Sequence, residues 1–270
     1  MERYKSQYNF LTENFVVIDN YLFYEPNDKE ANIKLKKFSS TALSSVDNLK
    51  EIPKLKKRTY HGIPIYSCFE LSTKEIEKDT RTKVLKALKN QGGYELSPQD
   101  LNQFLTDCVN ITYPIITKDT LLCTVQSSSN TNKQFVKKLI DKWNELYIEL
   151  GLENLNTLKN IDGVLKNPNV DEIELDTNKL SISSAKEFQK ILDKMKASGV
   201  FSSSKFPKSK INLVKNWLVL AKGIEEIIKD KDILIIDDFS TSGTTMTTAI
   251  NLFKEIGAKN IAGLVLIREV

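Results

Sequence analysis

The chain has 270 residues, of which 40% are hydrophobic and 27% are charged, and its 39 lysines and arginines against 35 acidic residues give a net charge of +4. This composition is typical of a globular protein with one large or two modest domains, and it excludes a mainly disordered chain. The small net charge does not indicate a nucleic-acid partner, although it does not exclude one.

The cysteines indicate a reducing compartment. Cys68, Cys108 and Cys123 are odd in number, lack any C-x-x-C spacing and lie among apolar residues. We therefore interpret them as buried reduced thiols. The N-terminal residues lack the apolar segment of a signal peptide, and no run approaches the roughly 18 apolar residues of a membrane span. We expect a cytoplasmic protein with no membrane partner.

The first predicted elements are strands of a small sheet. The segments "NFVVIDNYLFYEP" and "YHGIPIYSCFEL" are rich in β-branched and aromatic residues and are bounded by turn-forming residues. The second segment contains His61, the only histidine of the chain. A lone histidine among strand residues is more often structural than catalytic, so we do not assign it to a site.

Two helices follow these strands. "STKEIEKDTRTKVLKALKN" has apolar residues at helical spacing, acidic residues early and Lys86 and Lys89 late, which favours a helix. The next helix is predicted to begin at Ser97, because Asp100 three residues later gives a near capping box. Neither helix indicates a function.

From about residue 118 the pattern changes to that of an α/β unit. The strand "DTLLCTV" is followed by the polar loop "QSSSNTNK" and by the helix "QFVKKLIDKWNELYIEL". Residues 151–212 are polar, with one predicted helix that Gly199 ends. Within them, the aperiodic residues near 199–212 predict a mobile loop.

The run "ILIIDDFSTSGTT", residues 233–245, predicts a ligand site. Its apolar residues are typical of a parallel strand buried on both faces, and ligands bind beyond the carboxyl ends of such strands. Asp237 and Asp238 lie at that end and can accept hydrogen bonds from vicinal sugar hydroxyls. The turn and helix start that follow favour a phosphate, with Gly243 allowing a positive φ. Ribose 5-phosphate satisfies both halves.

This run resembles the phosphoribosyl-pyrophosphate (PRPP) signature of type I phosphoribosyltransferases. The resemblance implies that Asp237 and Asp238 hold the ribose hydroxyls and are catalytic, and that the turn cradles the 5′-phosphate. The PRPP-binding residues would be Asp237, Asp238, Ser240, Thr241, Ser242, Gly243, Thr244 and Thr245. A Walker loop is absent from the sequence.

Two further segments resemble parts of the same family. The loop after the first α/β strand resembles the pyrophosphate loop, which would present backbone amides and hydroxyls to a diphosphate carrying Mg²⁺, although an ordinary polar loop explains it nearly as well. Its residues are Gln126, Ser127, Ser128, Ser129 and Asn130. The mobile loop resembles the family's lid, whose candidate catalytic cations are Lys205, Lys208 and Lys210. No side chain is assigned as a direct metal ligand.

The resemblance implies an α/β fold with a parallel-sheet phosphoribosyltransferase-like core at residues 116–270, after an N-terminal α+β region at residues 1–115. It implies transfer of ribose 5-phosphate from PRPP to an acceptor nitrogen of a nucleobase-like molecule, with release of pyrophosphate. Two alternatives stay open: a catalytically silent PRPP-sensing regulator or binding module, and transfer to a macromolecular acceptor. A homodimer is also left open.

The N-terminal region is predicted to select the acceptor. The last predicted strand is "IAGLVLI", and the sequence has no segment after it that would form a hood over the acceptor. Residues 1–115 or the polar segment at 151–212 would then supply it. Tyr60 and Tyr66 offer rings that could stack on a planar base, although packing is the more common role of a tyrosine.

Overall fold

The computed structural model describes the backbone of residues 15–18, 21–24, 55–72, 78–94, 96–112, 115–116, 119–125, 131–149, 159–166, 169–176, 178, 181–199, 206–207, 211 and 213–270. The strands in this part of the chain are β1 (Phe15–Ile18), β2 (Tyr21–Tyr24), β3 (Lys56–Tyr60), β4 (Ile63–Leu71), β5 (Thr120–Val125), β6 (Lys159–Lys166), β7 (Glu174–Leu175), β8 (Val214–Lys215), β9 (Val219–Leu220), β10 (Asp232–Ser240) and β11 (Asn260–Glu269). The helices are α1 (Lys78–Lys89), α2 (Pro98–Thr112), α3 (Thr131–Glu149), α4 (Ile182–Ser198), α5 (Glu225–Ile228) and α6 (Thr244–Glu255).

A mostly parallel sheet forms the centre of the fold. Strands β6, β5, β10, β11 and β4 lie side by side in that order, and each neighbouring pair is parallel. Short antiparallel pairings extend both edges, with β9 on β6 and β3 on β4. The expected α/β fold class with a parallel sheet is confirmed.

The direction of the chain reverses between β5 and β10. From β5 the chain crosses through α3 to β6 on one side, and from β10 it crosses through α6 to β11 on the other. Such a reversal is the topological switch point at which open α/β sheets bind their ligands, just beyond the carboxyl ends of the strands.

The side chains of β10 alternate between the two faces of the sheet, and both faces are covered at this strand. Leu234 and Ile236 of β10 belong to a core cluster that includes residues of α1, α2 and α3. Ile233 and Ile235 belong to a second cluster that includes residues of α4 and α6. The apolar run of β10 is therefore explained by helices on both sides of it.

The N-terminal strands do not form the small separate sheet that the sequence suggested. Strand β4 pairs with β11 from Ile65 opposite Gly263 to Leu71 opposite Glu269, and β2 joins β4 through Tyr21 opposite Glu70. Residues 67–71 of β4 are all buried, which requires neighbours on both faces. One sheet thus contains strands from residues 1–115 and from residues 116–270. The division of the chain into two domains at residue 115 stays a prediction.

The β3–β4 hairpin lies at the amino ends of the central strands. Its turn residues His61 and Gly62 have φ of 46° and 80°, and positive φ at both central residues is typical of the tight turns that join antiparallel strands. Tyr60 precedes this turn, and Tyr66 lines a pocket with Thr120 and Asp232, the first residues of β5 and β10. The two tyrosines therefore lie on the side of the sheet away from the carboxyl ends.

Several helix ends agree with the sequence signals. Ser97 Oγ accepts a hydrogen bond from the Asp100 N–H at 3.0 Å and donates to Asp100 Oδ2 at 2.7 Å. Gly199 ends α4 with φ of 66°, and Gly257 follows α6 with φ of 80°. Strand β6 was missed, because its sequence "KNIDGVLK" is polar at most of its positions.

The cysteines are buried thiols, as the sequence indicated. Burial, together with the adjacent Cys68 thiol, holds the pKa of Cys108 well above its usual range, and burial raises the pKa of Cys123 to about 12. Thiols of this kind are unreactive at neutral pH. None of the helices described above is long and apolar enough to cross a membrane.

Candidate functional site

Two buried carboxylates, Asp237 and Asp238, lie near the carboxyl end of strand β10 at the topological switch point, and the strand continues to Ser240. Asp237 and Asp238 are each only 7% exposed. The backbone then turns through residues 241–243, and α6 begins at Thr244. The predicted ribose half and the predicted phosphate half of the site are thus brought together at the carboxyl end of one strand.

The turn before α6 presents hydrogen-bond donors in a short space. Gly243 has a left-handed backbone with φ of 76° and its carbonyl accepts the first helical hydrogen bond, from the Thr247 N–H at 2.9 Å. The hydroxyls of Ser242 and Thr244 lie 2.8 Å apart. Gly243 supplies no side-chain acceptor, and the Thr244 N–H donates to Ser242 Oγ at 3.5 Å. The first N–H groups of a helix such as α6 favour an anion.

Burial changes the acidity of the acidic pair. Desolvation and then the charge of Asp238 raise the pKa of Asp237 to about 7, although the ammonium of Lys89 and the N–H groups of Asp238 and Phe239 oppose the increase. The Asp238 N–H donates to Asp237 Oδ1 at 3.0 Å. Near neutral pH Asp237 is therefore partly protonated, and its charge responds to the neighbouring charges.

Lys89 is a residue of this site that the sequence did not indicate. Its Nζ lies 3.1 Å from Asp238 Oδ1, and its side chain is 25% exposed. In the sequence, Lys89 has only the position of a cation near a helix C-terminus, where the helix dipole explains it. No motif connects it to the acidic pair, because the contact is made by tertiary packing of α1.

The predicted pyrophosphate loop lies outside the described residues. Val125 and Thr131, its neighbours in the chain, are described and form hydrogen bonds. Gln126, Ser127, Ser128, Ser129 and Asn130 connect β5 to α3. On the α3 side, Asn132 Nδ2 donates to the carbonyl of Val125 at 3.3 Å, and Thr131 Oγ1 donates to the carbonyl of Leu88 at 3.0 Å. The first residues of α3 are thus joined to the last residue of β5 and to the C-terminal turn of α1.

The three candidate lid cations, Lys205, Lys208 and Lys210, also lie outside the described residues. Two apolar residues of the same segment are buried, since Phe206 is 3% and Ile211 is 6% exposed. The ring of Phe206 meets the ring of Phe188 on α4 edge to face at 5.5 Å. The predicted lid segment is thus attached to the second core cluster at two points.

The described residues contain no group of three or more histidine, cysteine or acidic side chains that could hold a metal ion. Mg²⁺ commonly binds one or two carboxylates, substrate phosphates and several waters instead of a complete protein cage. The described part of the site fits a Mg²⁺ ion that arrives on a diphosphate.

Comparison with known families gives one match. Residues 181–269 match the family described as phosphoribosyl transferase domain, which confirms the resemblance for this part of the chain. The matched range contains α4, β10, the turn at residues 241–243, α6 and β11. No curated protein matches the chain.

Proposed function

From the phosphoribosyl transferase domain at residues 181–269, we propose that the protein transfers ribose 5-phosphate from PRPP to an acceptor nitrogen and releases pyrophosphate. The observation that supports this most strongly is the buried acidic pair at the switch point of the sheet. The pair is followed by a short turn and by a helix with Gly243 as its N-cap. The pair and the helix start suit the two chemically different ends of one ribose 5-phosphate.

Asp237 and Asp238 are proposed to accept hydrogen bonds from the 2′- and 3′-hydroxyls of the ribose. Hydrogen bonds from neutral donors to charged acceptors are stronger than those between neutral groups. Since both carboxylates are 7% exposed, water competes little for their oxygens. This contact would fix the sugar ring and with it the anomeric carbon.

The turn and the first residues of α6 are proposed to hold the 5′-phosphate. Their donors are the backbone N–H groups of the turn and the hydroxyls of Ser240, Thr241, Ser242, Thr244 and Thr245. The positive φ of Gly243 allows the backbone to approach the phosphate without a Cβ in between. The phosphate contacts at one end of the ligand and the carboxylates that accept from the ribose hydroxyls at the other would together orient C1 toward the open side of the site.

In the transfer itself, the bond between C1 and the pyrophosphate oxygen breaks and a bond between C1 and the acceptor nitrogen forms. Positive charge develops at C1 and the ring oxygen, and negative charge develops on the leaving group. Mg²⁺ bound to the diphosphate neutralises part of that charge and enters with the substrate. Residues 126–130 are proposed to bind the diphosphate, and Lys205, Lys208 or Lys210 to neutralise it when the lid closes and excludes water.

The acceptor is proposed to be a nucleobase-like molecule in nucleotide metabolism, selected in part by residues 1–115. Support for a role of this region comes from α1, whose last residue Lys89 contacts Asp238. Tyr60 and Tyr66 are not part of this proposal, because the hairpin places them toward the amino ends of the strands.

The test is to incubate the protein with PRPP and Mg²⁺ against a panel of free nucleobases and to follow pyrophosphate release. We expect release that depends on one class of acceptor and that falls strongly in Asp238→Asn, which keeps the shape of the side chain. Binding of PRPP without release with any acceptor would instead indicate the regulator alternative. Absence of both binding and release would contradict the proposal.

A further inference from the structure

We propose that Lys89 of α1 is a positioning residue of the PRPP site, which favours the ionised form of the acidic pair and so sets the pH range in which the site binds PRPP. This inference rests on the proposed function and adds to it a residue from outside the matched range of residues 181–269. It makes the N-terminal region a part of the ligand site.

The position of Lys89 is determined by packing. Val84 and Leu88 of α1 are buried in the first core cluster, at 0% and 8% exposure. The carbonyl of Leu88 accepts a hydrogen bond from Thr131 Oγ1 at 3.0 Å, which joins the last turn of α1 to the first residue of α3. These contacts fix the backbone of the last turn of α1, so the ion pair with Asp238 requires ordering of the Lys89 side chain alone.

The surroundings strengthen the ion pair. Lys89 and Asp238 line a small pocket whose other residues are mainly apolar: Leu85, Leu88, Phe104, Thr131, Phe239, Leu266 and Ile267. Asp238 is 7% exposed and the lysine side chain 25% exposed. An ion pair in such a place is screened less by water and salt than one on an open surface.

Among the described residues, the charged side chains that act on Asp237 are those of Asp238 and Lys89. Asp238 raises the pKa of Asp237, and Lys89 lowers it together with two backbone N–H groups. The neighbours of Asp237 and Phe239 on β11 are Val265 and Ile267, which are apolar. Arg268 lies opposite Ser240 further along, and it interacts with Arg58 and Glu70.

Removal of the ammonium would therefore leave two buried carboxylates with one main compensating charge missing. Under these conditions the pair retains a proton to higher pH, and the ribose hydroxyls lose an ionised acceptor. The ammonium does not saturate Asp238, because a carboxylate has about four acceptor positions. Its charge also offsets the repulsion between the acidic pair and the anionic ligand. Both effects make Lys89 favourable to binding.

The experiment measures the dissociation constant of PRPP with Mg²⁺ by calorimetry for the wild-type protein, Lys89→Met and Lys89→Arg between about pH 6 and pH 9. Lys86→Met is the matched control, since Lys86 lies on the same turn of α1 but is exposed and sits over the ring of Tyr94 at 5.7 Å. The ratio of the Lys89→Met constant to the wild-type constant cancels the ionisation of PRPP itself. Circular dichroism checks the fold, and Lys89→Gln replaces Lys89→Met if the latter is unfolded.

We expect the ratio to rise about tenfold or more from pH 9 to pH 6, because Lys89 lowers the pKa of Asp237 and a nearby opposite charge changes a carboxyl pKa by about one pH unit or more. Lys89→Arg should follow the wild type, and Lys86→Met should give a ratio near one at every pH. A ratio for Lys89→Met that does not change with pH would overturn the inference while PRPP binding by the wild type still supports the proposed function. Failure of the wild type to bind PRPP would refute both.

Discussion

We expect Asp237→Asn to be more stable than the wild-type protein at pH 8, and this difference to shrink as the pH falls. Burial, followed by the charge of Asp238, raises the pKa of Asp237 from 3.8 to about 7. Between these two pH values the folded protein therefore retains a proton that the unfolded chain has released. The stabilisation from that proton is complete below about pH 4 and is lost as the pH rises to about 7.

The size of the effect follows from the two pKa values. The difference between 3.8 and about 7 corresponds to about 4 kcal/mol of unfolding free energy at about 1.4 kcal/mol per pH unit. Burial of the asparagine amide in the variant also costs free energy, which offsets part of this difference. We expect the unfolding free energy of Asp237→Asn to exceed that of the wild type by roughly 2–4 kcal/mol at pH 8 and by little near pH 4.

Urea unfolding followed by circular dichroism measures both proteins across this pH range. Asp141→Asn, which removes an exposed carboxylate from α3, is the matched control for the loss of one carboxylate. The reasoning would be refuted by an Asp237→Asn difference that does not change with pH, or by an Asp237→Asn protein less stable than the wild type at pH 8.

One further substitution tests the phosphate half of the site, and one deletion tests the division into domains. Gly243→Ala places a Cβ on a residue with φ of 76°, at 3.9 Å from Ser240 Oγ, so we expect backbone strain without a steric clash. The strain should lower the unfolding free energy measured in urea by about 1–2 kcal/mol. Calorimetry should show weaker PRPP binding. Deletion of residues 1–110 removes β4, α1 and α2 from the first core cluster, and we expect the remainder to lose its cooperative unfolding transition. An unstrained Gly243→Ala protein, or a folded fragment that binds PRPP, would contradict these expectations.

The features that could be predicted from the sequence are those determined by neighbouring residues. The four apolar residues before Asp237 predict a strand buried on both faces, and the turn residues after it predict the start of α6 with a positive φ at Gly243. Ser97 and Gly199 predict helix ends in the same way, because caps depend on contacts within a few residues.

The features that could not be predicted depend on contacts between distant segments. The sequence of β4 favours a strand, but nothing in it specifies β11 as its partner, since many apolar strands are compatible with the same pairing. Lys89 likewise reaches Asp238 only because the core positions α1 and Thr131 holds its last turn. Strand β6 was missed because its residues are too polar for the period of a strand to stand out.

The central claim is that the acidic pair and the helix start bind PRPP, and calorimetric titration of PRPP with Mg²⁺ tests it most directly. The titration compares the wild-type protein with Asp238→Asn and with Asp232→Asn, which changes a carboxylate at the opposite end of the same strand. We predict saturable binding by the wild type and by Asp232→Asn, and affinity about ten- to hundredfold weaker in Asp238→Asn, since a hydrogen bond to a charged group contributes about 1.5–3 kcal/mol. Equal affinities in all three proteins, or no saturable binding by the wild type, would contradict the claim.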